Sequence, residues 1–259
     1  MAEPGTKLKT VALMKRFKGL FAGICVFCVL TLTARAQVNT VKIMPMGDSV
    51  TARGNTPESS YRYWLWKDLQ DAGFNNFVFL GNQNGVSDGA PANSDFDQHY
   101  EGGGPGGDAW STDSGMKAAP SAARSKPDFL LLDLGSNDII FGIDPATTEA
   151  NLRTIIEDFA AANPNIIILL AKPTPFAVDP VATSQEKKLE RRQQSQLAAI
   201  ASKVGKTEKQ AGINVIVVNL FGGYNVNTDT KDGTHPNVRG EQKIARKYFT
   251  VLKKYMKNM

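Results

Sequence analysis

The chain has 259 residues, enough to bury a sizeable core in one domain. Its formal charge of +5 is concentrated at the start: residues 1–36 hold six Lys or Arg against one acid, Glu3. From Gln37 onward 24 basic residues balance 24 acidic ones, and a body without a positive stripe excludes a general nucleic-acid binder.

Lys15, Arg16 and Lys18 precede an apolar run, Gly19 to Leu32, and Ala34-Arg35-Ala36 follows. This is the order of a secretory signal, so residues 1–36 read as a signal peptide cleaved after Ala36 and 37–259 as the folded domain. The run is short for a transmembrane helix, and a retained membrane anchor is the alternative. Cys25 and Cys28 both fall inside it, so the exported chain has no cysteine and relies on its core.

Val41–Met46 predicts a first strand. Glu58–Ala72 predicts a helix with Tyr61, Leu65 and Leu69 on its apolar stripe, ended by Gly73. Phe77–Leu80 and Phe129–Leu134 predict the second and third strands. Pro145–Ala162 follows as a helix, Ile166–Leu170 as a strand, Gln185–Gln210 as a long amphipathic helix and Val215–Leu220 as the fifth strand. Asn237–Met256 is the last helix. The Gly- and Pro-rich span from Gly81 to Pro127 reads as an ordered loop, packed by Phe96, His99, Tyr100 and Trp110, that walls one side of a site. Short apolar strands alternating with helices predict a five-stranded parallel sheet in a three-layer α/β/α sandwich.

Ligands bind beyond the carboxyl ends of such strands. Polar and glycine residues recur there: Gly47-Asp48-Ser49, Gly81-Asn82, Gly135-Ser136-Asn137-Asp138 and Asp232-Gly233-Thr234-His235. Ser49 is a candidate nucleophile, His235 its base and Asp232 the group that orients and stabilises the imidazole. The backbone N–H groups of Ser49 and Gly81 and the Asn137 amide are candidate donors to an oxyanion. Ser49 alone also fits a turn or helix cap, Gly81 a turn and Asn137 a cap. The Asp232–Asn237 segment also fits a turn leading into a helix, although that leaves one of only two histidines unexplained. Asp48 and Asp138 read as anchors of neighbouring loops. His-Glu-x-x-His is absent, and Asp88, Asp95, Asp97 and Asp108 could hold a calcium ion but match no EF-hand loop and also read as solvent-facing acids, so neither metal nor cofactor is expected.

At these blocks the chain resembles the SGNH/GDSL hydrolase superfamily, and within it carbohydrate esterase family 3, whose members include acetylxylan esterases. The resemblance rests on Gly47-Asp48-Ser49-Val50-Thr51, Phe79-Leu80-Gly81, Gly135-Ser136-Asn137-Asp138 and Asp232-Gly233-Thr234-His235-Pro236-Asn237. Ser60-Tyr61-Arg62 looks like that family's Gly-Tyr-Arg helix start, with serine for glycine. His99-Tyr100-Glu101-Gly102 looks like its His-Glu-Gly loop, with Tyr100 inserted. The resemblance implies a flavodoxin-like fold, a Ser49–His235–Asp232 triad and an oxyanion hole from Ser49, Gly81 and Asn137. It implies that Arg62, His99 and Trp110, with Asp48 and Asp138, bind substrate or position loops. The implied activity is deacetylation of an O-acetylated polysaccharide or oligosaccharide such as xylan, outside the cell, through an acyl-enzyme, with no obligate protein partner. A lipase or acylesterase, a deacetylase of another glycan and a non-catalytic glycan-binding protein are the alternatives. Exposed Tyr100 or Trp110 would favour sugar; a long apolar tunnel would favour a lipase.

Overall fold

A computed structural model describes residues 40–52, 60–85, 99–102 and 110–257. The chain divides into two compact units, Met1–Gln37 and Val38–Met259, and the described residues all lie in the second. The signal segment, its cleavage point, Phe96 and the loop carboxylates Asp88, Asp95, Asp97 and Asp108 lie outside the described residues.

In chain order the elements are β1 (Val41–Gly47), α1 (Ser49–Ala52), α2 (Tyr61–Asp71), β2 (Phe77–Phe79), β3 (Gln83–Asn84) and β4 (His99–Tyr100). Then come α3 (Thr112–Ala122) with a 3-10 turn at Ala123–Ser125, β5 (Phe129–Asp133), α4 (Ser136–Ile140) and α5 (Pro145–Ala162). The chain continues through β6 (Ile167–Lys172), α6 (Ser184–Gln210), β7 (Val215–Asn219), α7 (Val226–Asp229) and α8 (Val238–Met256). Five strands pair in parallel in the order β2-β1-β5-β6-β7, and β3 pairs antiparallel with β4.

Strand residues alternate between the two faces, and each face is covered. Ile43, Phe129, Leu131 and Leu169 pack with Leu65 and Leu69 of α2 and Ile244, Tyr248 and Leu252 of α8. Their sheet neighbours Met44, Leu130, Leu132 and Ile168 pack on the other face with Leu152, Ile155 and Phe159 of α5 and Val204 of α6. Leu130, Leu131 and Leu132 are fully buried, each contributing about 2 kcal/mol of apolar transfer. The architecture is the expected three-layer α/β/α sandwich with a five-stranded parallel sheet.

Helix starts follow side-chain caps. Ser60 accepts from the Arg62 N–H, so α2 begins at Tyr61. Pro145 opens α5 behind the Asp144 cap, and Thr183 and Glu186 form a capping box for α6.

One sequence expectation is corrected. The span from Gly81 to Pro127 is not all loop: it holds the β3–β4 ladder and the 11-residue helix α3. Gly115 and Pro120 lie inside α3 and weaken its local signal. The helix is held from outside: Asp138, 26 residues away, accepts both the Thr112 N–H (2.8 Å) and the Thr112 hydroxyl.

Candidate active site

Strand β1 lies between β2 and β5, where the chain's direction of travel across the sheet reverses. A crevice forms beyond the strand ends at such a point. Asp48 follows β1 directly and is buried; its Oδ1 accepts the Val50 N–H at 2.9 Å, and its carbonyl accepts from Thr51 and Ala52 at 3.0 Å. The chain therefore coils into α1 at once and sets Ser49 at the carboxyl end of a central strand.

Ser49 Oγ lies 3.1 Å from His235 Nε2, and His235 Nδ1 lies 2.7 Å from Asp232 Oδ2. The second Asp232 oxygen accepts the backbone N–H groups of Thr234 (2.9 Å) and His235 (2.7 Å). Partial burial pushes the Asp232 pKa up, but the His235 backbone and side-chain bonds and the Thr234 bond outweigh it, leaving it at about 2. Asp232 is thus a carboxylate at any ordinary pH, able to hold the Nδ1 proton and leave Nε2 facing the serine.

The turn that carries His235 is braced from three directions. Lys231 N–H donates to the His235 carbonyl (2.9 Å), and Gly233, at φ +89°, supplies the left-handed step that closes the turn. Beneath it, fully buried Asp229 pairs with Lys243 (2.6 Å) and Arg239 (3.1 Å), while its carbonyl accepts from Asn237, the N-cap of α8. On the far side, Ala177 N–H donates to the Gly233 carbonyl (2.6 Å), and Gln194 of α6 clamps the Phe176 backbone through both amide atoms.

Gly81 follows β2 and touches the Tyr100–Glu101 peptide. A Cβ there would sit 1.9 Å from the Tyr100 carbonyl carbon, so only glycine fits. Asn137, on the first turn of α4, donates through Nδ2 to the Trp110 carbonyl at 3.1 Å, a bond that orients its amide.

The other residues singled out in the sequence lie around this chain of three. Arg62 is fully buried: Nε donates to the Thr51 carbonyl (2.8 Å), Nη2 to that of Gly85 (2.8 Å), and the guanidinium lies 4.4 Å over the Tyr100 ring. It ties the segment after Ser49 to the β3–β4 ladder. His99 is half-buried in that ladder, opposite Asn84, and is not part of the Ser49–His235–Asp232 chain. Asp138 joins α3 to α5 by accepting from Thr112 and from the Thr148 hydroxyl (2.7 Å). Tyr100 is buried and does not present the exposed aromatic face considered from the sequence, while Trp110, partly buried, packs against the core beside α3. Among the described residues no cluster of three or more His, Cys, Asp or Glu could hold a metal ion.

Three carboxyl groups are buried where no local pattern announces it. Asp133 ends the leucine-rich β5 beside Gly47; burial, then the nearby Asp48 charge, raises its pKa well above the usual range. Burial raises Glu101 to about 7 against the bond from Asn82, and Glu241 to about 7 against the bonds from Trp64 and Ser60. The folded chain therefore holds protons that the unfolded chain releases. The stability these groups contribute is full below their ordinary pKa and is lost as pH rises through the folded value, about 3 kcal/mol for a group moved from 4.5 to about 7. Asp232 acts oppositely, its contribution present above pH 3.8 and lost as pH falls toward 2. Denaturation midpoints are expected to fall from about pH 5 to about pH 8, and less so in Glu241→Gln, which keeps an acceptor for the Trp64 indole. Identical pH slopes in the two proteins would contradict this.

Beside the turn lies a cavity of about 480 Å³ lined by Ile139, Ile140, Phe176 and Leu189, by the acids Asp179, Glu186 and Glu190, and by Thr234 next to His235. Its lining mixes exposed apolar surface with carboxylates. Ile140 and Leu189 are each more than half exposed.

Residues 46–243 match the model of the GDSL-like Lipase/Acylhydrolase family. A multidomain esterase of Ruminococcus flavefaciens is 23% identical over 237 residues, covering 86% of this chain and 30% of that protein. The chain thus spans less than a third of that relative's length. A carbohydrate esterase family 3 structure from Talaromyces cellulolyticus superposes with a TM-score of 0.70 at 21% identity, covering 85% of this chain and 99% of that one. A Clostridium thermocellum family 3 carbohydrate esterase superposes with a TM-score of 0.64 at 25% identity, covering 82% of this chain and 94% of that one.

Proposed function

The chain belongs to the GDSL-like lipase/acylhydrolase family, and from that membership we propose that it is a serine esterase that removes acetyl groups from an O-acetylated polysaccharide. The observation that carries the chemistry is the continuous chain from Ser49 Oγ through His235 to Asp232, at 3.1 and 2.7 Å. In the proposed reaction His235 Nε2 takes the hydroxyl proton as Ser49 Oγ attacks the acetyl carbonyl. Asp232 stabilises the imidazolium, and the N–H groups of Ser49 and Gly81 with the Asn137 amide receive the oxyanion. His235 then protonates the departing sugar oxygen. Water, deprotonated by the same imidazole, releases acetate from the acyl-enzyme and restores the Ser49 hydroxyl.

A sugar as leaving group is supported by the cavity beside Thr234. Apolar walls suit the C–H face of a neutral ring, and Asp179, Glu186 and Glu190 can accept from its hydroxyls, whereas an acyl chain would leave three acids facing hydrocarbon. Both superposed structures are carbohydrate esterases, which favours carbohydrate over lipid, and xylan is the first glycan to try. Action outside the cell suits a polymer and the signal-like order of residues 15–36. A series of p-nitrophenyl esters, run beside acetate release from acetylated xylan, tests the substrate class. Activity is expected to be highest on acetyl and to fall about tenfold or more by octanoyl. A maximum on long acyl groups would replace this proposal with a lipase.

A further inference from the structure

Glu101 links the two chain segments that carry the proposed peptide donors of the oxyanion hole. Its backbone is stitched to the end of β1: Glu101 N–H donates to the Pro45 carbonyl (2.8 Å), and Gly47 N–H donates to the Glu101 carbonyl (3.2 Å). Its side chain reaches the turn after β2, where Oε2 accepts the Asn82 N–H at 3.1 Å. The clasp is reciprocal, since Asn82 Oδ1 accepts the Gly102 N–H at 3.2 Å. Ser49 lies two residues past Gly47, and Gly81 lies one residue before Asn82.

The position of Gly81 makes this clasp matter. On one side the Leu80 N–H is fixed by the Ile43 carbonyl of β1 at 2.8 Å. On the other, the peptide joining Gly81 to Asn82 is fixed by Glu101. Between them stands a glycine at φ +152°, a residue whose backbone turns freely unless both neighbours are held. We propose that Glu101 is a positioning residue of the oxyanion hole: by accepting the Asn82 N–H, its carboxylate keeps the Gly81 N–H aimed at the developing negative charge, which rests on Gly81 being an oxyanion donor.

The surroundings of Glu101 suit the role. The residue is 5% exposed, and burial raises its pKa to about 7, so its bond to Asn82 strengthens as pH rises through neutrality. The cavity it lines takes Met44 from β1, Leu80 and Asn82 from the turn, and Ala118, Ser121 and Ala122 from α3, none of which titrates in this range. On its own segment stands His99, and from α2 comes Arg62, whose guanidinium covers the Tyr100 ring.

The test compares Glu101→Gln and Glu101→Ala with the parent, with Ser49→Ala as reference, on p-nitrophenyl acetate across about pH 5 to pH 9. Alanine leaves the Asn82 N–H without this acceptor; kcat is expected to fall about 100-fold with KM within about twofold. Glutamine keeps an acceptor that does not titrate. It is expected to rescue kcat to within about threefold and to remove from the acid side of the kcat profile the fall of about threefold that protonation of Glu101 gives the parent. A folded alanine variant with parental kcat, equal losses in both variants, or a glutamine profile superimposable on the parent's would each overturn the proposal. If the alanine variant does not fold, the glutamine profile alone decides. Parental activity in Ser49→Ala would instead remove the active-site assignment on which the role depends, and the proposal with it.

Discussion

Ser49→Ala is expected to lose about 10⁴-fold or more in kcat for acetate release while keeping the fold. In the proposed reaction the hydroxyl is the atom that becomes acylated, and His235 Nε2, 3.1 Å away, takes its proton rather than an acyl group. His235→Ala should lose a similar factor, because the hydroxyl then keeps its proton. The double variant is the sharper test. Residues that act as one unit are not additive, so Ser49→Ala/His235→Ala should be no slower than either single variant by more than about threefold. Losses that multiply would mean that the two residues contribute separately. Asp232→Asn should retain the turn geometry only in part, since Asp232 Oδ1 also accepts the Thr234 and His235 N–H groups.

Gly81→Ala is expected to be damaging by a different route. The added Cβ would stand 1.9 Å from the Tyr100 carbonyl carbon and 2.0 Å from its oxygen, both backbone atoms that no rotamer change can move. To reach ordinary contact near 3.4 Å, the turn and the 99–102 segment must part by about 1.5 Å. A displacement of about 1 Å at a catalytic group costs about 100-fold, so kcat/KM should fall by at least that much. The same movement strains the Asn82–Glu101 clasp, and the urea midpoint should drop by the equivalent of about 1–3 kcal/mol. Parental kcat/KM in this variant would show that the Gly81 N–H does not serve the reaction.

The parts of this molecule that announce themselves in sequence are those whose pattern is local. The buried strands are short apolar runs because both faces of the sheet are covered, and Pro145–Ala162 has its helical bounds marked by a capping Asp144 and a first-turn proline. Gly47-Asp48-Ser49 stands at the end of β1 and Asp232–His235 between α7 and α8, each with residue types that ordinary turns do not require together. That Ser49 and His235 approach within 3.1 Å across 186 positions is a consequence of strand order, which the sequence leaves open.

What stayed hidden depends on partners far along the chain. Helix α3 carries a glycine and a proline and is held at its start by Asp138. Asp133 sits in a run of leucines and looks like the last residue of a strand; its burial against Asp48 appears only when β5 is laid beside β1. Tyr100 and Trp110 suggested a sugar platform by residue type, yet one is a surface for the Arg62 guanidinium and the other packs on the core. The proposed sugar surface is instead lined by Ile140 and Leu189, ordinary helix residues whose exposure no periodicity reveals.

The most direct measurement of the central claim is covalent labelling of the folded protein with a fluorophosphonate, read by peptide mass mapping. One label per chain on Ser49, abolished in Ser49→Ala and strongly slowed in His235→Ala, is the expected result. Labelling of Ser49→Ala at the parental rate, or of another residue in the parent, would contradict it.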